Sequence, residues 1–311
     1  MKILFFLATL PMLYWQQGID STEALRRAGI ERMYVPPDQV DAWKKAGFSP
    51  VPLSLSELES RVKLPAPRIS TEVQVASPTR SPWVVANGWR FLRNSSGKYY
   101  YDLPKGTAAL AAAEAFAYGA DAILKIDPAD LEELGRMLAF LQQLGPSPAE
   151  TLADLAVVDD GSPLTSEVMN LLARRNLLFR AVSKPDPQFR INIKLGTKQY
   201  PRAEAANPSN FALKIRRQIT DEKRLLRVYG SEVVICRLTG DGSRVRLHLL
   251  NYGRGKIEGL RVRLRGAFAK GELKAAGYGN LSLEDYVVSD EATEFSIPEM
   301  RAYAVVDLQL K

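Results

Sequence analysis

Five stretches of this sequence set polar or aromatic residues directly behind an apolar run. They are Trp15-Gln16-Gln17, Asn87-Gly88-Trp89-Arg90, Asp102 after Tyr99-Tyr100-Tyr101, Asp127 after Ala122-Ile123-Leu124, and Asp159-Asp160 after Leu155-Ala156-Val157-Val158. A polar group behind a buried parallel strand sits at its carboxyl end, where the loops converge on a ligand. Carboxylates so placed, Asp102, Asp127 and Asp159, could act as acid and as base or nucleophile on a glycosidic bond. Trp15, Gln17, Asn87, Trp89, Arg90 and Asp160 could bind the same substrate, rings stacking on a pyranose and polar groups hydrogen-bonding its hydroxyls.

Each of these residues has a plainer reading. Asp127 before Pro128 and Asp160 before Gly161-Ser162-Pro163 stand where helix N-caps fall. Asp159 ends a fully apolar strand and is the spare member of a tandem pair. Trp15, Trp83 and Trp89 could be core residues, and Asn87-Gly88 a turn. Glu114, within an alanine-rich run, is either on a solvent stripe or a buried partner for an arginine.

The residue inventory removes other chemistries. Cys236 is the one cysteine and His248 the one histidine, so histidine-based triads and multi-histidine or cysteine metal sites are close to excluded. No GxGxxG follows the first strand and no Walker sequence occurs, which argues against nucleotide enzymes. No cofactor and no metal are expected.

The elements that must position these residues repeat a simple pattern. Met12–Trp15, Glu31–Val35 and Ser49–Leu53 read as strands, alternating with helices that Gly29 and Gly47 stop. Trp83–Arg90, Tyr99–Asp102, Ala122–Asp127, Leu155–Asp160 and Leu177–Val182 extend the series, with helices at Thr107–Tyr118, Asp130–Leu144 and Leu164–Arg175. Residues 62–82 hold four prolines around one expected strand, Glu72–Ala76. About eight strands alternating with helices imply a parallel sheet: a compact or incomplete (β/α)8 barrel over residues 13–219, or alternatively a doubly wound open sheet. Residues 1–12 read either as a secretory signal, which would export the chain to the periplasm or beyond, or as a buried first strand of a cytoplasmic protein.

After the helix capped by Asn207-Pro208, the period changes from helical to alternating, so residues 220–311 are expected to form a small all-β sandwich. Val228–Leu238, Arg244–Tyr252, Gly259–Gly266 and Phe295–Leu310 read as its strands. Arg244, Arg246 and His248 alternate, as do Arg261, Arg263 and Arg265, placing each trio on one strand face. If the strands are neighbours, one sheet exposes an arginine surface able to bind an anionic polymer; a solvated outer face is the plainer alternative. Aromatics do not interleave with these arginines, which disfavours nucleic acid. Net charge is −4 over residues 1–170, +16 over 171–275 and −5 over 276–311.

The layout resembles glycoside hydrolases that carry a barrel followed by a C-terminal β-sandwich. The segments that carry the likeness are Trp15-Gln16-Gln17, Trp83 to Trp89, Val157-Val158-Asp159-Asp160, Leu249-Leu250-Asn251-Tyr252 and Ile297 to Val306. The resemblance implies a polysaccharide or oligosaccharide substrate. Those families commonly place a Glu at the end of a late barrel strand, where this chain has Asp127 and Asp159. A barrel that has lost catalysis and kept binding, or a non-catalytic surface protein holding an acidic polymer on its arginines, is the alternative.

Overall fold

The computed structural model describes residues 10–70, 83–145, 147–148 and 150–310. The apolar leader and the expected strand Glu72–Ala76 fall on or mostly on residues outside that set. The chain runs β1 (Met12–Tyr14), α1 (Thr22–Arg27), β2 (Arg32–Val35), α2 (Val40–Lys45), β3 (Ser49–Pro52), α3 (Leu55–Glu59), β4 (Val62–Leu64), β5 (Arg68–Ser70), β6 (Trp83–Val85) and α4 (Gly88–Arg93). Then follow β7 (Lys98–Leu103), α5 (Ala108–Tyr118), β8 (Asp121–Ile126) and α6 (Leu131–Gln143). The described residues form two compact units: 10–68 with 94–145, and 69–70 and 83–93 with the residues from 147 onward.

In the first unit, six strands pair in the order β3-β2-β1-β8-β7-β4, all parallel. Within this unit each strand except β3 neighbours its successor in sequence, and the last, β8, lies beside the first. That is the cyclic order of a β/α barrel, opened between β3 and β4. A doubly wound sheet would instead set its fourth strand beside the first. Among the described residues the sheet is therefore an incomplete barrel that does not close. Side chains alternate across it: Leu13, Met33, Tyr101 and Leu124 lie fully buried on one face.

The helices stop where the sequence indicates, Gly29, Gly47 and Gly119 each taking positive φ. The short α3 was not expected from the sequence. Ser54 and Glu57 form its capping box, the Ser54 side chain accepting from the Glu57 N–H and the Glu57 carboxylate from the Ser54 N–H.

The second unit adds β9 (Glu150–Thr151), β10 (Leu155–Val158), α7 (Pro163–Arg174), β11 (Phe179–Val182), β12 (Asn192–Ile193), α8 (Arg202–Ala205) and α9 (Pro208–Ile219). Strands β11-β10-β12 form a separate three-stranded parallel sheet rather than continuing the barrel. Val157, Phe179 and Ile193 of that sheet pack with Met169, Phe211 and Ile215 of the helices in one core.

From Leu226 the strands are antiparallel: β13 (Leu226–Tyr229), β14 (Val234–Gly240), β15 (Arg244–Asn251), β16 (Ile257–Arg265), β17 (Phe268–Ala275), β18 (Glu284–Val288), β19 (Ala292–Met300) and β20 (Tyr303–Leu310). They form a four-stranded sheet, β13-β16-β19-β18, and a five-stranded one, β17-β20-β15-β14-β9. Leu247, Leu249 and Val306 of one sheet share a core with Val262, Leu264 and Phe295 of the other, making a sandwich.

The change from parallel to antiparallel pairing falls between Ile219 and Leu226, beside the expected boundary at 219/220. The compact units divide elsewhere, grouping β10 to β12 with the sandwich. The expected single strand Trp83–Arg90 is a short strand followed by a helix. Val228–Leu238 and Phe295–Leu310 each hold parts of two strands, and β17 and β18 were not anticipated.

Gly135 lets α6 approach the end of α1 so closely that a methyl group there would lie inside the van der Waals radius of the Ala28 carbonyl oxygen. Replacement of a helical glycine by alanine ordinarily gains about 1 kcal/mol. Here backbone faces backbone and neither side can rotate away. Gly135→Ala should therefore lower the unfolding free energy by about 2 kcal/mol in urea titrations; a stabilised variant would contradict the packing described.

Candidate functional site

The face of the six-stranded sheet opposite Leu13, Met33 and Leu124 carries polar and aromatic residues near its carboxyl edge. The strand registers bring Val51, Tyr34, Tyr14, Lys125 and Asp102 into one row across β3, β2, β1, β8 and β7. Lys63 lies opposite Tyr100 one step away, its ammonium 5.9 Å from the ring centroid. Tyr14 and Tyr100 are buried and pack with Leu53, Leu58 and Ile123, with Tyr34 at their margin. Burial, opposed by a hydrogen bond with Gln16, raises the Tyr14 phenol above its ordinary value, and the charges of Asp38 and Glu59 add to the rise.

Asp102 is the one expected catalytic carboxylate in this row. It is 41% exposed at the side chain and lies between two ammonium groups, 3.3 Å from Lys63 and 3.5 Å from Lys125. Asp127, at the end of β8, is a cap: its Oδ1 accepts from the Ala129 N–H at 2.9 Å. Asp130, not singled out from sequence, is buried and accepts from the N–H groups of Gly106, Thr107 and Ala108 at the start of α5.

Trp15 is 3% exposed and donates its indole N–H to Ser21 Oγ at 2.8 Å, so it fixes the β1 loop rather than offering a stacking face. Gln17 remains exposed.

The other expected residues belong to the second unit. Asp159, at the end of β10, takes a two-pronged bond from Arg93 of α4, Nε to Oδ2 at 2.7 Å and Nη2 to Oδ1 at 2.9 Å, and accepts from the Gly161 N–H. Burial pushes its pKa up, yet the Arg93 bonds and charge with the Gly161 N–H outweigh burial and hold it below the usual value. Asp160 accepts from the Ser162 N–H and hydroxyl and from the Thr165 hydroxyl, and it pairs with Arg202. These bonds, the Ser162 hydroxyl foremost, hold it far below its ordinary value. Both carboxylates are anchors at the start of α7, whose N-cap is Ser162.

Asn87, Trp89 and Arg90 do not line an open strand end. Asn87 is fully buried and accepts from Arg90 Nη1 at 3.3 Å, while Trp89 joins the α7–α9 core and Arg90 lies 4.2 Å over its ring. Asn87-Gly88 starts a helix, which turns these side chains inward.

The two arginine trios lie in different sheets. On β15 only Arg244 is exposed, bonded to Asp241. Arg246 is 6% exposed with Asp307 against it, and His248 is fully buried with Nδ1 2.6 Å from the Tyr303 hydroxyl. That trio is no surface. The β16 trio does share an outer face: Arg261 pairs with Glu294, and Arg263 and Arg265 donate to the Glu222 and Lys223 carbonyls. Val262 and Leu264 point to the core as expected.

No family model and no curated protein matches the sequence. Among solved structures, α-L-fucosidase isoenzyme 2 from Paenibacillus thiaminolyticus superposes with a TM-score of 0.54 at 11% identity, covering 72% of this chain and 62% of that one. The chain thus spans about three fifths of the fucosidase. A β-galactosidase from Rahnella sp. R3 matches with a TM-score of 0.38 at 11% identity, covering 65% and 51% of the two chains. A maltogenic α-amylase from Thermotoga neapolitana gives 0.27 at 9% identity, covering 96% and 99%. In architecture the chain resembles glycoside hydrolases that combine a parallel α/β barrel with a C-terminal β domain, the fucosidase comparison carrying that likeness.

Arg93→Gln removes the cation from a carboxylate that is 23% exposed at the side chain. Stability should fall by about 2 kcal/mol at pH 7, because Asp159 loses a charged partner while staying partly desolvated. Since Asp159 is depressed in the folded state, this contribution is present above its unfolded value of 3.8 and fades as pH drops below it. Urea unfolding at pH 7 and pH 3 should show a gap between wild type and variant that is narrower at the lower pH.

Proposed function

We propose that the protein is a glycoside-hydrolase-like saccharide-binding protein that holds an oligosaccharide or polysaccharide at the carboxyl edge of its six-stranded sheet and does not hydrolyse it. The observation that carries this reading is the accessible group Tyr34, Lys125, Asp102 and Lys63 near the carboxyl edge, set over the buried rings of Tyr14 and Tyr100. Tyrosine offers an apolar ring with a polar tip, which suits a sugar, and Lys and Asp supply donors and acceptors for hydroxyls.

Hydrolysis asks for one carboxyl that holds a proton and a second that is free to act as base or nucleophile. Asp102 lies between two lysines, Asp127 caps the turn before α6, and Asp159 is forked to Arg93. These commitments favour binding over bond cleavage.

The full chain should release no product from a broad panel of glycosides while binding at least one glycan in affinity electrophoresis. Tyr34→Ala and Lys125→Gln should each weaken that binding about tenfold. Product release by wild type that Asp102→Asn or Asp159→Asn abolishes would overturn the non-hydrolytic part. Absence of any glycan binding would overturn the whole reading.

A further inference from the structure

The strongest unassigned feature lies in the second unit, away from the strand-end carboxylates. A cavity of about 470 Å³ is lined by Arg174, Arg175, Arg216, Arg224 and Arg227, with Glu232 as the one carboxylate of the lining. They come from the end of α7, from α9, from the connection after it and from β13. All five fall in the segment that carries the +16 excess.

The local charges do not cancel. Asp221 serves three of the arginines at once, at 3.0 Å from Arg216, 3.2 Å from Arg224 and 3.6 Å from Arg227. Within the lining five guanidiniums face the single carboxylate of Glu232; Asp221, Glu167 beside Arg174 and Asp154 beside Arg224 offset part of their charge, and the balance stays positive.

Two donors are also unspent. Arg175 reaches Ser209 through Nη2 and Arg224 holds the Arg175 and Asn176 carbonyls through Nη2, but the buried Nε of each has no hydrogen-bond partner among the described residues. A buried donor left unmade ordinarily costs more than a bond gains. Burial first, and then the charge of a neighbouring arginine, lowers the pKa of Arg174 to about 10 and depresses Arg175 and Arg224 as well. Like charges held together in a partly desolvated hollow are stabilised by an anion that accepts from several of them.

We infer that this cavity is a binding site for a ligand carrying a phosphate or sulfate group. A carboxylate presents two oxygens along one edge, whereas a tetrahedral oxyanion presents acceptors in several directions and can meet guanidiniums arriving from α7, α9 and β13 together. The site is independent of the saccharide reading and stands or falls without it.

The test is calorimetric titration of the full chain with inorganic phosphate, sulfate and glucuronate at constant ionic strength, alongside melting curves. Phosphate or sulfate should bind saturably and raise the melting temperature above a sodium chloride control, with glucuronate at least tenfold weaker. Arg175→Gln should weaken binding about tenfold, Arg261→Gln on the outer face of β16 should leave it unchanged, and Glu232→Gln should tighten it severalfold. Should Arg175→Gln fail to fold, Glu232→Gln decides alone, since it removes a repelling charge. No saturable binding of phosphate or sulfate, indifference to Glu232→Gln, or glucuronate bound equally tightly would each overturn the assignment.

Discussion

Asn176 holds the second unit together at the point where its parallel layer meets its sandwich. It takes positive φ in the turn after α7 and is buried. Its Nδ2 donates to the Val234 carbonyl at 2.9 Å, and its Oδ1 accepts from the Cys236 N–H at 2.8 Å. Strand β14 pairs with β15 along its length but with β9 only at Thr239 and Gly240, so its other edge is open at Val234 and Cys236. The amide stands in for the missing strand there, and buried peptide groups that water does not reach are paired. Around it Arg224 satisfies the carbonyls of the same turn, and Asp154 accepts from the Leu225 N–H at 2.8 Å. Burial pushes that Asp154 carboxyl up to about 6, against the pull of the Leu225 N–H and Arg224. This seam joins guanidiniums and amides to Leu178, which packs into the sandwich core, and Asn176 and Arg224 also line the arginine-rich cavity.

In the first unit the governing constraint is sheet order. Because β8 returns to the side of β1, strands distant in sequence contribute to one row, and Asp102 meets Lys125 across neighbouring strands while Lys63 reaches it from β4. Packing of the opposite face fixes the alternation that points these side chains the same way. Two units thus offer different surfaces: an aromatic and mixed-charge face in one, a strongly cationic hollow in the other.

Local structure was largely legible from sequence. Strands β1, β2, β3, β8 and β10 are apolar runs, and Gly29, Gly47 and Gly119 mark helix ends because each takes a backbone conformation that side chains disfavour. The failures are mostly long-range. Whether the barrel closes depends on how β3 and β4 pair, which no local pattern reports. The partners of Asp102 and Asp159 lie 39 and 66 residues away, at Lys63 and Arg93, so a strand-end carboxylate looked free when it was bonded. Alternation correctly grouped Arg246 with His248, but it does not say that both faces of β15 are buried. Two misses were local. The Ser54–Glu57 capping box has the local S-x-x-E signature of a helix start, and Gly88-Trp89-Arg90 continues an apolar run yet begins a helix. The pocket arginines were visible only as a charge excess, since their convergence requires α7, α9 and β13 to be docked.

Carboxylates at strand ends here are fastened, Asp102, Asp159 and Asp160 by cations and Asp127 by a backbone N–H, and the proposed non-hydrolytic role rests on that fastening. The pH titration of the Asp159 carboxyl, followed by carbon-13 NMR with Asp159→Asn to identify its signal, tests that directly. A midpoint below 3.8, as the Arg93 fork requires, agrees with the account. A midpoint raised toward neutrality, the mark of a general acid, would contradict it.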